Sequence, residues 1–178
     1  MSEHANSDLV GLILAGGQSR RMGRDKAALD WRGQSLLERA RTCLQAAGCS
    51  TVHVLGPDGS LPDRRTGCGP AHALYDAMNT LNTKRAFLAL PVDMPRLEPS
   101  DLTALVGAQR ARAYRDHPLP AFFPARLHSK FEPPEHFSMR MLLEAYEVDW
   151  IDTDPSRTDH FANINTPEDF AALDKTLN

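Results

Sequence analysis

The chain has 178 residues, a net charge of −3, 42% hydrophobic residues and 24% charged ones. That length suits one domain with a substantial core, and the mildly acidic balance argues against general attraction to nucleic acid or an acidic membrane. No apolar run reaches the roughly eighteen residues needed to span a membrane. The three cysteines, Cys43, Cys49 and Cys68, fit neither a zinc pattern nor a disulfide framework, so reduced thiols and a cytoplasmic location are expected. Residues 1–8 are polar and lack the apolar core of a signal peptide, which predicts a flexible tail followed by a single domain over 9–178.

Leu9 to Leu14 is an apolar run with the length of a strand buried on both faces. It breaks into Ala15-Gly16-Gly17, and a loop carrying Arg20, Arg21, Arg24 and Lys26 follows. Two glycines let the backbone approach a ligand that a Cβ would obstruct. Successive N–H groups in such a turn can form an anion nest. The four cations argue for an anion of several charges, such as a triphosphate; the alternative is a glycine-rich turn with solvated arginines. Neither G-x-x-x-x-G-K-[ST] nor G-x-G-x-x-G is present, which sets aside two common phosphate loops.

Ser35-Leu36-Leu37-Glu38 reads as a capping box, and the helix it opens puts Leu36, Leu37, Ala40, Cys43, Leu44 and Ala47 on one face before Gly48. Thr51 to Leu55 is a second strand, followed by a turn-rich loop from Gly56 to Gly69. Pro70 suits the first turn of a helix whose apolar face is Ala73, Leu74, Ala77, Met78 and Leu81. Ala86 to Pro91 is a third buried strand that runs into Val92-Asp93-Met94-Pro95. Asp93 therefore sits past the carboxyl end of a strand, where open α/β sheets bind ligands. Ser100 to Arg112 reads as a helix, His117 to Phe123 as a strand, and Lys130 to Phe137 as a surface loop. Ser138 to Tyr146 reads as a short helix and Val148 to Ile151 as a last strand. Thr166-Pro167-Glu168-Asp169 caps a terminal helix. Strands alternating with helices imply a mostly parallel sheet with helices on both faces, a three-layer α/β/α sandwich.

As chemistry, Asp93 reads as a magnesium ligand, because Mg²⁺ is held by one or two carboxylates plus phosphate oxygens. The alternative is an aspartate that starts a turn before Pro95. Lys26 suits a phosphate as a mobile point charge, and otherwise is a solvated lysine at a helix start. Asp63 could accept N1–H and N2–H₂ of guanine, or simply occupy a turn-rich loop. Asn163 and Asn165 lie just before the terminal cap, where their amides could reach a ligand. His117 could act as a base, but phosphate nucleophiles need none, so a binding role or none is expected.

The stretch L-A-G-G-Q-S-R-R-M-G-R-D-K, from Leu14 to Lys26, resembles the signature of nucleotidyltransferases with a Rossmann-like fold of the nucleotide-diphospho-sugar transferase type. It is most similar to the molybdenum cofactor guanylyltransferases. V-D-M-P at Val92–Pro95 resembles the family's C-D-M-P, D-R-R-T-G-C-G-P at Asp63–Pro70 its aspartate-to-helix segment, R-D-H-P at Arg115–Pro118 the entry to its acceptor-side strand, and N-I-N-T-P-E-D at Asn163–Asp169 its last signature. The resemblance implies GTP and molybdopterin cofactor as substrates, Mg²⁺ as cofactor and cofactor-biosynthesis proteins or recipient molybdoenzymes as further partners. It implies a nucleotide site over Leu14, Ala15, Gly16, Gly17, Lys26, Asp63, Asp93, Asn163 and Asn165, with Lys26, Arg21 and Asp93 catalytic and Asp93 the metal ligand. Two departures stand out: Gly69-Pro70-Ala71-His72-Ala73 lacks the second glycine of G-P-L-A-G, and Leu55 stands near an asparagine position that contacts nucleotide. They bear on base choice, and keep open cytidylyl transfer to the same cofactor or a non-catalytic binder of the same fold.

Overall fold

Strand β1, Leu9–Leu14, lies inside the sheet with all six residues buried, which is what an unbroken apolar run with a strand on either side requires. The computed structural model describes residues 9–15, 26–56, 59–61, 68–81, 85–125 and 132–173. The expected N-terminal tail and the positions Gly16, Gly17, Arg20, Arg21, Arg24 and Asp63 lie outside the described residues.

Six strands form the main sheet: β1, β4 (Thr51–Leu55), β5 (Ala86–Pro91), β6 (Arg112–Tyr114), β7 (His117–Phe123) and β8 (Asp149–Ile151), in the order β4-β1-β5-β7-β6-β8. The pairs β1–β4, β1–β5 and β6–β8 are parallel; β7 runs antiparallel to both its neighbours. Residues alternate between the two faces. Leu9 and Ile13 of β1 and Leu88 and Leu90 of β5 pack with α1 (Leu36–Ala46), α3 (Pro99–Thr103), a 3-10 helix at Pro155–Phe161 and α5 (Pro167–Ala172). Val10, Leu12 and Leu14 with Phe87 and Ala89 pack against α2 (Pro70–Leu81) and α4 (Met139–Ala145). The result is the expected three-layer sandwich. Gly11 permits the close approach of α1, since a Cβ there would stand 2.9 Å from Leu44 Cδ1.

The helix caps follow their residue types. Ser35 Oγ accepts the Glu38 N–H at 3.2 Å, and Gly48, at φ +101°, closes the other end of α1. Thr166 and Asp169 exchange the two hydrogen bonds of a capping box at α5.

Two expectations need correction, and one element was not expected. The helix read over Ser100–Arg112 ends at Thr103: i to i+3 bonds tighten the following turn, Gly107 takes φ +83°, and Arg112–Tyr114 is drawn into the sheet as β6. The chain also makes a small hairpin, β2 (Asp30–Trp31) with β3 (Gln34–Ser35), whose turn residues Arg32 and Gly33 have φ 58° and 78°. That pair of positive φ values is the signature of a type I′ turn. Phe137, read as part of a surface loop, is buried against His72 and Tyr75 of α2.

Candidate active site

The carboxyl ends of β1, β4 and β5 finish level with one another, Leu14 lying opposite both Leu55 and Pro91. Beyond them the Ala15 N–H donates to the Leu55 carbonyl at 2.9 Å and the Val92 N–H to the Leu14 carbonyl at 3.1 Å. The chain segments that follow β1, β4 and β5 therefore leave from one edge. Because β7 is antiparallel, its first residue, His117, reaches the same edge, its ring stacked on Phe161 at 4.8 Å. Leu14 is buried and Ala15 partly buried, so what they can offer a ligand at this edge is main chain.

Lys26 opens a short 3-10 turn, Lys26–Ala28, at this edge. Its ammonium donates to the Ile164 carbonyl at 2.7 Å and to Asn165 Oδ1 at 3.1 Å, and pairs with Asp93 Oδ2 at 3.5 Å. Two sequence-predicted residues, Lys26 and Asp93, are thus joined, and Asn165 from the last signature joins them. The pair is only partly exposed, at 17% and 25%. Burial pushes the Asp93 carboxyl above its ordinary value, while the Lys26 charge and hydrogen bond pull it back.

The last signature holds this cluster from behind. The Ile164 N–H donates to the Asp93 carbonyl at 2.9 Å. Asp169 Oδ2 accepts the N–H groups of Asn165 and Thr166, both at 2.8 Å, and these bonds hold its carboxyl below the usual range. Asn163 is exposed and is not among the groups that meet Lys26. The Ile164 carbonyl and Asp169 were not singled out from sequence; the capping pattern was the one signal available for Asp169.

A second polar cluster supports the segment after β5. Asp101, 2% exposed, pairs with Arg157 Nε and with His160 Nδ1, each at 2.9 Å, and accepts the Glu98 N–H at 2.9 Å. These bonds tie the start of α3 to the 3-10 helix that leads into Ile164. His72 is buried, its Nδ1 donating to the Cys68 carbonyl at 2.8 Å, so it holds the start of α2 and faces no ligand edge through that nitrogen.

The donor set around Asp93 fits a hard cation. It comprises one carboxylate, one amide oxygen and one carbonyl, all oxygen, and Mg²⁺ asks for little more than a carboxylate and the phosphates of its substrate. Among the described residues no group of three or more His, Cys, Asp and Glu side chains could hold a metal alone.

Residues 11–150 match the model of the MobA-like NTP transferase domain. A molybdenum cofactor guanylyltransferase of Xanthomonas euvesicatoria pv. vesicatoria is 31% identical over 178 aligned residues, covering 92% of this chain and 93% of that protein. Among solved structures, the molybdopterin-guanine dinucleotide biosynthesis protein A of Archaeoglobus fulgidus superposes with a TM-score of 0.64 at 19% identity, over 91% of this chain and 95% of that one. A Mycobacterium tuberculosis H37Rv protein solved in complex with manganese gives 0.63 at 17% identity, over 96% of this chain and 100% of that one.

Proposed function

This chain belongs to the MobA-like NTP transferase family, and we propose that it transfers GMP from GTP to molybdopterin cofactor, forming the guanine dinucleotide cofactor and releasing pyrophosphate. One observation carries the reading beyond family membership: at the carboxyl edge of the sheet the partly buried pair Lys26 and Asp93 meets the exposed Asn165. A phosphate-binding cation beside a metal-binding carboxylate is what phosphoryl chemistry needs.

In this reading the loop from Leu14 to Lys26 receives the triphosphate. Gly16 and Gly17 bring main-chain N–H groups close, and Arg21 and Lys26 supply positive charge. Asp93 would hold Mg²⁺, which when bound neutralises charge on the phosphates. Lys26 orients the triphosphate and stabilises the charge that develops as pyrophosphate departs. The acceptor's terminal phosphate is its own nucleophile, so His117 has no proton to remove. Asp63 accepts N1–H and N2–H₂ of the guanine edge, and Asn163 and Asn165 reach the ligand through their side-chain amides. Acceptor-side partners are cofactor-biosynthesis proteins and the molybdoenzymes that receive the product, and the reaction is cytoplasmic.

Thermal denaturation with GTP, CTP, ATP or UTP, each with and without Mg²⁺, tests this reading. A ligand that binds only the folded state raises the melting temperature by mass action. GTP with Mg²⁺ should raise it most. A larger shift with CTP would favour cytidylyl transfer, the reading that Leu55 and Ala73 keep open, and no shift with any nucleotide would remove the nucleotidyltransferase assignment.

A further inference from the structure

The Lys26 ammonium sits among three oxygens of three chemical kinds: the Ile164 carbonyl at 2.7 Å, Asn165 Oδ1 at 3.1 Å and Asp93 Oδ2 at 3.5 Å. An ammonium has three donors and no acceptor, so this tripod satisfies it. The same three oxygens are the hard donors that a divalent cation of the Mg²⁺ or Mn²⁺ type selects.

The cradle is also built without the lysine. The Ile164 N–H holds the Asp93 carbonyl, and Asp169 holds the Asn165 and Thr166 N–H groups. These bonds fix the main chain that carries the three oxygens, and so keep Asp93, Ile164 and Asn165 together when the ammonium leaves. A divalent ion and an ammonium could share them only at a separation where like charges in a partly buried site repel strongly.

We propose that Lys26 is the chain's own occupant of the divalent-cation position, so that lysine and metal exclude one another there until nucleotide arrives. The proposal rests on Asp93 as the metal ligand. Phosphate oxygens would then do two things at once. They attract the ammonium away from Asp93, and they complete the coordination shell of the incoming metal. Metal and nucleotide binding become mutually reinforcing, and free metal alone binds weakly.

Mn²⁺ titration of the nucleotide-free, full-length chain, read from the paramagnetic resonance of the free ion, tests this without any turnover. Lys26→Met keeps the alkyl stem and removes the charge, and should tighten Mn²⁺ by about tenfold or more. The double variant Lys26→Met with Asp93→Asn should lose that increase. Lys26→Gln provides a second neutral side chain if circular dichroism shows the Met variant to be unfolded. Neutral variants that bind Mn²⁺ no tighter than the unmodified chain would overturn the proposal, and so would a tightening that survives Asp93→Asn. Nucleotide preference is read on the unmodified chain by thermal shift, so a failed GTP assignment and a failed cation exclusion give different signatures.

Discussion

The main-chain N–H of Ile164 donates to the main-chain carbonyl of Asp93 at 2.9 Å, across the gap between the last signature and the loop after β5. The bond makes one unit of two motifs that lie far apart in the chain. It fixes Asp93 at its backbone while leaving the carboxylate to Lys26. It also turns the Ile164 carbonyl and the Asn165 amide toward the same ammonium. The terminal signature thereby acquires a second task beyond capping α5.

Lys26→Ala should weaken GTP by about ten- to a hundredfold, the worth of a charged hydrogen bond, and leave guanosine nearly unchanged. Asn165→Ala should have a smaller effect in the same direction, because it removes an amide at the nucleotide site while the Lys26 charge stays. Isothermal titration with the two ligands measures both. Equal losses for GTP and guanosine would show that Lys26 touches no phosphate.

Asp93→Asn should lower turnover by about a hundredfold or more, since the neutral amide is a poor partner for the cation. The side chain lies at the end of a strand and not in the apolar core, so the unfolding midpoint should change little. Turnover and a urea unfolding curve on the same variant separate the two effects, and near-normal turnover would remove Asp93 from the reaction.

Asp101→Asn should cost about 3 kcal/mol of stability, the lower end of the range for breaking a buried pair. The lower end applies because Arg157, at 28% exposure, can turn toward water and keeps Glu98 as a partner. In a chain of this size such a loss lowers the melting temperature by roughly 6–12 °C. A change below about 1 kcal/mol would mean that the Asp101–Arg157–His160 cluster is not a structural tie.

The cysteines give a test of the core. Burial pushes the Cys43 and Cys49 thiols up to about 12 from an ordinary 9.0, whereas Cys68 is exposed. The thiolate is the reactive form, so at pH 8 a disulfide reagent should label Cys68 quickly and the other two only on unfolding. The sign for stability follows: the unfolded chain loses these protons near pH 9 while the folded chain keeps them, so stability is full below that pH and falls as pH rises above it. Rapid labelling of all three thiols in the folded protein would contradict the burial of Cys43 and Cys49.

Strands β1 and β5 were legible because a strand covered on both faces is apolar throughout, β4 from its β-branched residues, and α1, α2 and α5 from the Ser35, Pro70 and Thr166-Pro167 that open them. The β2–β3 hairpin escaped notice because its turn is Arg32-Gly33, whose first residue carries little preference for positive φ. Strand β6 is three residues long and begins at Arg112, the last residue of the run read as helix, so it carried no pattern of its own and owes its form to pairing with β7 and β8. At the site, Asp93 and Lys26 could be named from residue type and position. Asn165, 139 residues from Lys26, was placed with them by the resemblance alone; the direct contact with the ammonium could not be read from residue type or spacing, because it depends on where the sheet order returns the chain. Asp101 gave no signal either, since its partners Arg157 and His160 come from a 3-10 helix with no strong sequence pattern.

Pyrophosphate release from GTP, CTP and ATP, with Mg²⁺ and with or without molybdopterin cofactor, tests the central claim most directly. The expected result is release from GTP alone, dependent on the cofactor, in a one-to-one ratio with guanine dinucleotide formed, and lowered by about a hundredfold or more by Asp93→Asn. Release from CTP in preference to GTP, or no cofactor-dependent release from any nucleotide, would contradict it.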